Sequence, residues 1–546
     1  MTQTITVKMD KDSEYYFVDA SATDQGAVDA SYDSAKDLID AIGTSKSATL
    51  VFSHSGGGNT TTYTFSTSET IPANIQVIVE CGARITIATG ITVTIGNFSD
   101  PGLAHVFACA GTGIPVFSIG AVGWVRPEWF GAVAESAGGG TADHVYINQA
   151  IKSAQNTKKV ELAAGYYDVA ADIDVDYTEM YIKGAGRTNT TLYVSIADVA
   201  SFTNGVIDLG SGEPSALLED FGIEFEQTDT AVKASITAYK PAISAVAEPR
   251  FHINRMRITK AYDGIDMTGN SGGAVIKDLE MSMFNLGIEI NGSEDEVYIS
   301  GLRVWPFDMT ANQDDIFYVL GTTLGTCGIN VKRCDGLVIS DSMFINGQAI
   351  DFDSGGASNS FSRLTNVNFD TYAQIDIDAN HRIQFDNCFF STAANGFKAF
   401  DITDGRVTIR GSHFVCGTTD ASIIYFAAGD ANYDNLLTVT GCTIETGNQD
   451  ESAIECTATT VLLVVISNNI LIKDLNVAYS EPFIHLAANC EGVIIGNVMN
   501  RALGVGSGDF ILTADDAKVV VVGNMGQDYA IDIASATASS NIPSPS

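Results

Sequence analysis

Short strands of the form apolar-x-apolar recur from residue 264 onward, and the residue between the two apolar positions is repeatedly acidic. Side chains alternate along a strand, so that central residue faces outward when its neighbours face a core. Read in chain order, the central residues are Asp266, Glu289, Asn330, Asp351, Asp376, Asp401, Tyr425, Glu455, His485, Ile511 and Asp532. Five of the first six are acidic. Strands stacked about 4.8 Å apart would bring these carboxylates into a row. Like charges at that spacing repel, so some carboxyls must hold their protons, bind a cation or splay apart. Glycoside hydrolysis uses such pairs: about 5–5.5 Å separates the two carboxyls of a retaining enzyme and about 6.5–9.5 Å those of an inverting one. Adjacent coils supply the first distance and next-but-one coils the second. Asp351, Asp376, Asp401 and Glu289 are therefore the candidate catalytic groups, with Asp351, Asp353, Asp376 and Asp378 forming the densest patch. The alternative is a polar outer face with no chemistry.

A second feature is the insertion Trp305-Pro-Phe-Asp-Met-Thr-Ala-Asn-Gln-Asp314-Asp315-Ile-Phe-Tyr318. Aromatic faces pack on sugar C–H surfaces and carboxylates accept sugar hydroxyls. Trp305, Asp314, Asp315 and Tyr318 are thus candidate substrate contacts, read as a loop. Asp353, His381 and Arg382 join them from beside the acidic row. A lyase would instead use aspartates to hold Ca²⁺ on a uronate and a basic residue to take a proton; Arg382, Lys332 and Lys398 are near enough in sequence. Hydrolysis needs fewer assumptions and requires no cofactor.

The elements that must position these groups form a repeat. One frame (apolar, any, Asn/Asp/Gly, any, any, apolar) recurs with its third residue at Asp220, Asp278, Gly301, Asp341, Asn366, Asn387, Gly411, Gly441 and Asn468. Arg255 is the exception, and the copies at Asn497 and Asn524 keep only the first half. Asn, Asp and Gly tolerate a left-handed backbone, so each copy predicts one sharp corner. Most corners are 21–30 residues apart. The frame turns Phe344, Phe369, Phe390 and Phe414 inward as a stack, with Cys388 and Cys442 as small core residues. Strand, corner, strand, loop, strand at this period is a solenoid. The fold class is all-β: a right-handed parallel β-helix with a short capping helix and a small β-rich N-terminal module. Residues 1–120 form that module, or a lead-in to the solenoid, with a helix near 34–42. Residues 121–533 form the β-helix, its capping helix at about 145–154, and 534–546 a loose Ser/Ala/Pro-rich tail.

The chain has 546 residues, 29 Lys and Arg against 66 Asp and Glu, and a formal charge of −37. That balance excludes nucleic acid and anionic lipid, which need a basic footprint. Met1–Ile5 starts neither a basic nor an apolar leader, so no secretory signal is expected. No apolar run is long enough to span a bilayer. Nine scattered Cys give neither a disulfide framework nor a zinc site.

Residues 128–169 read Glu-Trp-Phe-Gly-Ala, then Thr141-Ala-Asp143, Ile147-Asn-Gln-Ala-Ile151 and Val160-Glu-Leu-Ala-Ala-Gly165-Tyr-Tyr-Asp-Val, and Ile182-Lys-Gly184-Ala-Gly186 follows. Together they resemble the opening motif of pectate-lyase-like right-handed β-helices, in the form found in bacteriophage tailspike depolymerases. Gly138-Gly-Gly replaces the usual acidic-Gly step. The resemblance covers about residues 120–533 and is far more specific for fold than for reaction. It implies a homotrimer on the virion tail, made in the host cytoplasm and acting outside the cell. It also implies a bacterial surface polysaccharide, capsule or O-antigen, as target, with the N-terminal module a possible attachment to the tail or baseplate. The competing readings are a Ca²⁺-dependent polysaccharide lyase on the same fold and a non-catalytic receptor-binding adhesin.

Overall fold

A computed structural model of the chain describes residues 15–135, 142–210, 215–319, 326–353, 361–392, 397–417, 421–429, 434–446, 451–473, 481–501, 511–514 and 517–526, and the short strands 532–533, 538–539 and 542–543. The Gly138–Gly140 turn lies outside these residues. The chain forms two compact units, residues 1–208 with 215–223 and residues 209–214 with 224–546.

The first unit starts with helix α1 (Ala35–Ile42), capped by Ser34, whose hydroxyl accepts from the Asp37 amide. Three parallel ladders of three strands follow: Tyr15–Phe17, Ala48–Phe52 and Ile75–Val79; Thr61–Phe65, Ala83–Ile87 and Phe107–Cys109; Glu69–Ile71, Thr92–Ile95 and Ile114–Phe117. Parallel rungs about one coil apart make this β-rich stretch solenoidal as well. Helix α2 (His144–Ser153) packs on Ile114–Phe117 on one side and on the strands Lys159–Glu161 and Ile173–Asp174 on the other, burying Ile147, Ala150 and Ile151 and so covering otherwise open core. The motif behind the family resemblance is structural. Trp129 and Phe130 are buried, and the Trp129 indole donates to the Gly102 carbonyl at 2.7 Å. Glu128 accepts from the Ala163 amide and the Tyr167 hydroxyl. Asp143 accepts from the Val133 and Asp168 amides, and burial pushes its carboxyl up to about 6.

In the second unit each coil climbs onto the next in parallel register. Asp220, in the first unit, and the nine corners from Arg255 to Asn468 all have left-handed backbones, with φ from 49° at Arg255 to 70° at Gly301. The last two corners differ from expectation by one position. Gly496 (φ 66°) and Gly523 (φ 64°) make the turns, and Asn497 and Asn524 follow them with side chains turned inward. Glycine turns there without steric cost, which leaves the asparagines to bond between coils. Asn469 Nδ2 donates to Asn497 Oδ1 and Asn497 Nδ2 to Asn524 Oδ1, both at 2.9 Å. Phe344, Phe369, Phe390 and Phe414 stack as the frame requires, with centroids 5.5, 4.9 and 4.5 Å apart. Ala538–Ser539 and Ile542–Pro543 add two short parallel rungs on Val521–Val522 and Met525–Gly526. Seven of the nine cysteines are buried, all in this unit, and all nine are free thiols; burial pushes those of Cys388 and Cys442 up to about 11. Among the described residues no helix is long and apolar enough to cross a membrane.

Candidate active site

The acidic residues stack. Asp266 faces Glu289, which faces Asn330; then come Asp351, Asp376, Asp401, Tyr425, Glu455 and His485, one per coil and in register. The row then continues through Leu512, not Ile511, to Asp532. Ile511 is an inward position paired with Ile484.

The members of this row differ in what neutralises them. Lys332 Nζ lies 2.8 Å from Glu289, and that bond holds the ammonium above lysine's ordinary range. Lys398 Nζ lies 2.8 Å from Asp401 and 4.0 Å from the centroid of the Tyr425 ring. Between these two ion pairs sit Asp351 and Asp376, which have none among the described residues. Burial, then the charges of Asp376 and Asp353, push the Asp351 carboxyl up to about 7, against the pull of Asn330 Nδ2, which donates to it at 3.2 Å. Burial also raises Asp376, but both of its oxygens accept amide N–H groups, from Gln374 and Gln348, each at 2.6 Å. Two N–H donors favour the ionised form. The two carboxyls thus sit in different surroundings: Asp351 has one N–H donor with the charges of Asp376 and Asp353 beside it, whereas Asp376 has two N–H donors. Further along, Ser422 donates to Glu455 at 2.6 Å, and His485, 3.8 Å away, holds Glu455 below its ordinary range while being raised itself.

An aromatic row runs beside the acids. Tyr372 stands four residues before Asp376 and Phe397 four before Asp401, with ring centroids 5.5 Å apart. The equivalent position before Asp351 is Gly347, which has no ring to offer. The insertion fills that gap. Its central part is not a loop but helix α3 (Ala311–Phe317), closed by a capping box between Thr310 and Gln313. Thr310 Oγ1 and Asn312 Nδ2 donate to Asp229, and the Gly347 amide donates to the Phe317 carbonyl. A side chain at Gly347 would meet the Val319 carbonyl oxygen at 2.2 Å. Tyr318, at the end of α3, thereby reaches Tyr372, with centroids 4.7 Å apart.

The other expected contacts divide. Asp353 is half-buried just past Asp351, and its amide donates to the Val331 carbonyl. Trp305 is exposed where the chain leaves the strand Arg303–Val304. Asp314 and Asp315 lie on α3; burial and Asp315 raise Asp314, and among the described residues neither aspartate bonds to the acid row. Two expectations need correction. His381 is buried, with its ring against Phe352, and cannot touch a glycan. Arg382 is exposed but stands in another column, between Phe361 and Arg406. The reason is the same for both. Both lie on Gln374–Asp386, one continuous strand with a register shift between Asp378 and Arg382, so nearness in sequence to Asp376 does not put them on its column.

Among solved structures, similar folds include the pneumococcal surface adhesin PfbA of Streptococcus pneumoniae (13% identity, 73% of this chain and 91% of that one, TM-score 0.38). Another is tailspike protein 3 of bacteriophage CBA120 (10% identity, 73% and 61%, TM-score 0.41). A third is a thermostable α-1,3-glucanase of Streptomyces thermodiastaticus (15% identity, 76% and 71%, TM-score 0.38). The likeness is one of fold. No family profile and no curated protein sequence matches the chain.

Gln348, Gln374, Tyr372 and Phe397 are site residues that reading the strands alone passes over. Their fixed offsets before the acids, two or three residues for the glutamines and four for the rings, were visible in the sequence.

Proposed function

We propose that the chain is a phage tailspike that binds and depolymerises a bacterial surface polysaccharide by glycoside hydrolysis. Asp351 is the general acid and Asp376 the base or nucleophile. The observation that carries this reading is the pair itself: two carboxyls in register on adjacent coils, free of the lysines that neutralise Glu289 and Asp401 on either side. Coil spacing of about 4.8 Å matches a retaining pair. Tyr318, Tyr372 and Phe397 form a platform for sugar rings along the same axis. Hydrolysis is favoured over β-elimination because Lys332 and Lys398 are each paired with a carboxylate at 2.8 Å and Arg382 stands off the row, so none of the three is placed as a lyase base. The only three carboxylates among the described residues with oxygens within 4.8 Å of one another are Asp172, Asp174 and Asp208, in the first unit.

Incubation with capsular and O-antigen polysaccharides tests the reaction. New reducing ends without absorbance near 235 nm are expected; chelator-sensitive absorbance from unsaturated uronates would replace hydrolysis by lyase chemistry. Binding without fragments would mean an adhesin.

The homotrimer that the resemblance implies has a candidate seam. Outward positions of the last coils turn apolar in two columns, Val465–Val493–Val520 and Ile470–Val498–Met525, and all but Val465 are exposed. Exposed apolar patches of this kind mark association surfaces. Native mass measurement should find a trimer for the parent chain and a monomer for the Val493→Asp, Val498→Asp double variant. A monomeric parent removes the seam. Tail placement, with the N-terminal residues as attachment, belongs to the same proposal.

A further inference from the structure

We propose that an open groove on a second face of the coils binds an uncharged sugar unit of a polysaccharide, separately from the acid row. The groove holds about 480 Å³, and its walls include Arg250, Glu294, Glu296, Tyr298, Asp335 and Phe361. It is a notch in a column. Glu296, Gly336 and Phe361 follow one another in register through three coils, and Gly336 contributes no side chain. A Cβ at Gly336 would lie 2.6 Å from Glu296 Cγ. Tyr298 and Phe361 are 43% and 45% exposed. Large rings left this open in a concave site are ready to cover something apolar.

The polar groups of the groove select the occupant. Its carboxylates do not converge as metal ligands: no three of them among the described residues bring oxygens within 4.8 Å of one another. An anionic occupant would meet Glu294, Asp295, Glu296 and Asp335. A cationic one would meet the Arg250 guanidinium, which is exposed and has no ion-pair partner among the described residues. Arg382, one coil beyond Phe361, adds a second guanidinium at that end of the column. A hydroxyl donates one hydrogen bond and accepts others. A neutral sugar can therefore satisfy carboxylates and guanidinium together while its C–H face packs on the rings. Such a site would hold a second stretch of polymer and raise avidity without taking part in cleavage.

Affinity electrophoresis of the full chain through gels containing dextran, laminarin or mannan tests this, with polygalacturonate and polylysine as charged probes. At least one neutral polymer should retard the parent chain. The Tyr298→Ala, Phe361→Ala double variant should weaken that retention about tenfold. Gly336→Gln, which fills the notch and leaves both rings in place, should do the same. Retardation by no neutral polymer, by polylysine alone, or to the same degree in both variants would overturn the proposal. Reducing ends from the capsular and O-antigen polysaccharides are read in parallel: retention on a neutral polymer with no cleavage of those polysaccharides removes the hydrolase reading and leaves the groove, whereas their cleavage with retention indifferent to both variants does the reverse.

Discussion

Replacing Asp351 with Asn should lower the release of reducing ends by about 10²–10⁴-fold, the usual worth of a positioned proton donor. The amide keeps the shape of the side chain but has no acidic proton to give. Glu289→Gln and Asp401→Asn should cost far less, because each removes a carboxylate already neutralised by a lysine at 2.8 Å. Activity of the parent chain should fall as pH rises through about 7, the point to which burial and Asp376 push Asp351. Stability carries the same signature. The folded carboxyl binds its proton more tightly than the unfolded one, so its stabilising contribution is fully present below about 4 and is lost as pH rises to about 7. Asp351→Asn should remove that dependence and stabilise the fold at pH 8 relative to pH 4, by on the order of 2–4 kcal/mol. Urea denaturation at the two pH values decides it. A variant with full activity and an unchanged stability profile would dismiss Asp351 as the acid.

The second large effect lies in the core. Phe390→Ala should destabilise the second unit by about 3–5 kcal/mol, the range for emptying a buried phenylalanine site. Phe390 touches the rings of both stacked neighbours, Phe369 at 4.9 Å and Phe414 at 4.5 Å, and that of Phe400 at 4.9 Å. Each coil of a solenoid is held chiefly by the coils next to it, so a void here weakens two interfaces at once. Phe389→Ala is the control. That ring points outward, edge-on to His413, and its loss should cost under about 1 kcal/mol. Equal shifts in the denaturation midpoint for the two variants would contradict the stacked core.

These expectations rest on parts of the molecule that differed in how readable they were. The corners were legible because a left-handed backbone restricts residue type: Asp278, Asn366 and Gly441 announce themselves. Even Arg255 could be placed, by period alone, although its side chain has no such preference. The acid row was legible because alternation holds within a short straight strand. It failed where two apolar residues adjoin, which misplaced the row at Ile511; for His381 and Arg382 nearness in sequence was no guide, because a register shift separates them from the row. The pairing of Lys332 with Glu289 and the reach of Tyr318 to Tyr372 are contacts across 43 and 54 residues, and no local pattern encodes them. The helical character of the insertion was readable in principle from Thr310 and Gln313, a capping-box spacing.

The buried thiols give the molecule an internal clock. A thiolate is the reactive form, so a sulfur sealed in the core cannot be alkylated until the coil around it opens. Cys327, Cys334, Cys388, Cys416, Cys442, Cys456 and Cys490 are spread along the second unit, while Cys81, in the first, is exposed. Alkylation followed by peptide mass mapping would therefore mark Cys81 at once and then time-stamp the others in the order in which their coils part. The chain carries its own labels for finding out from which end it comes undone.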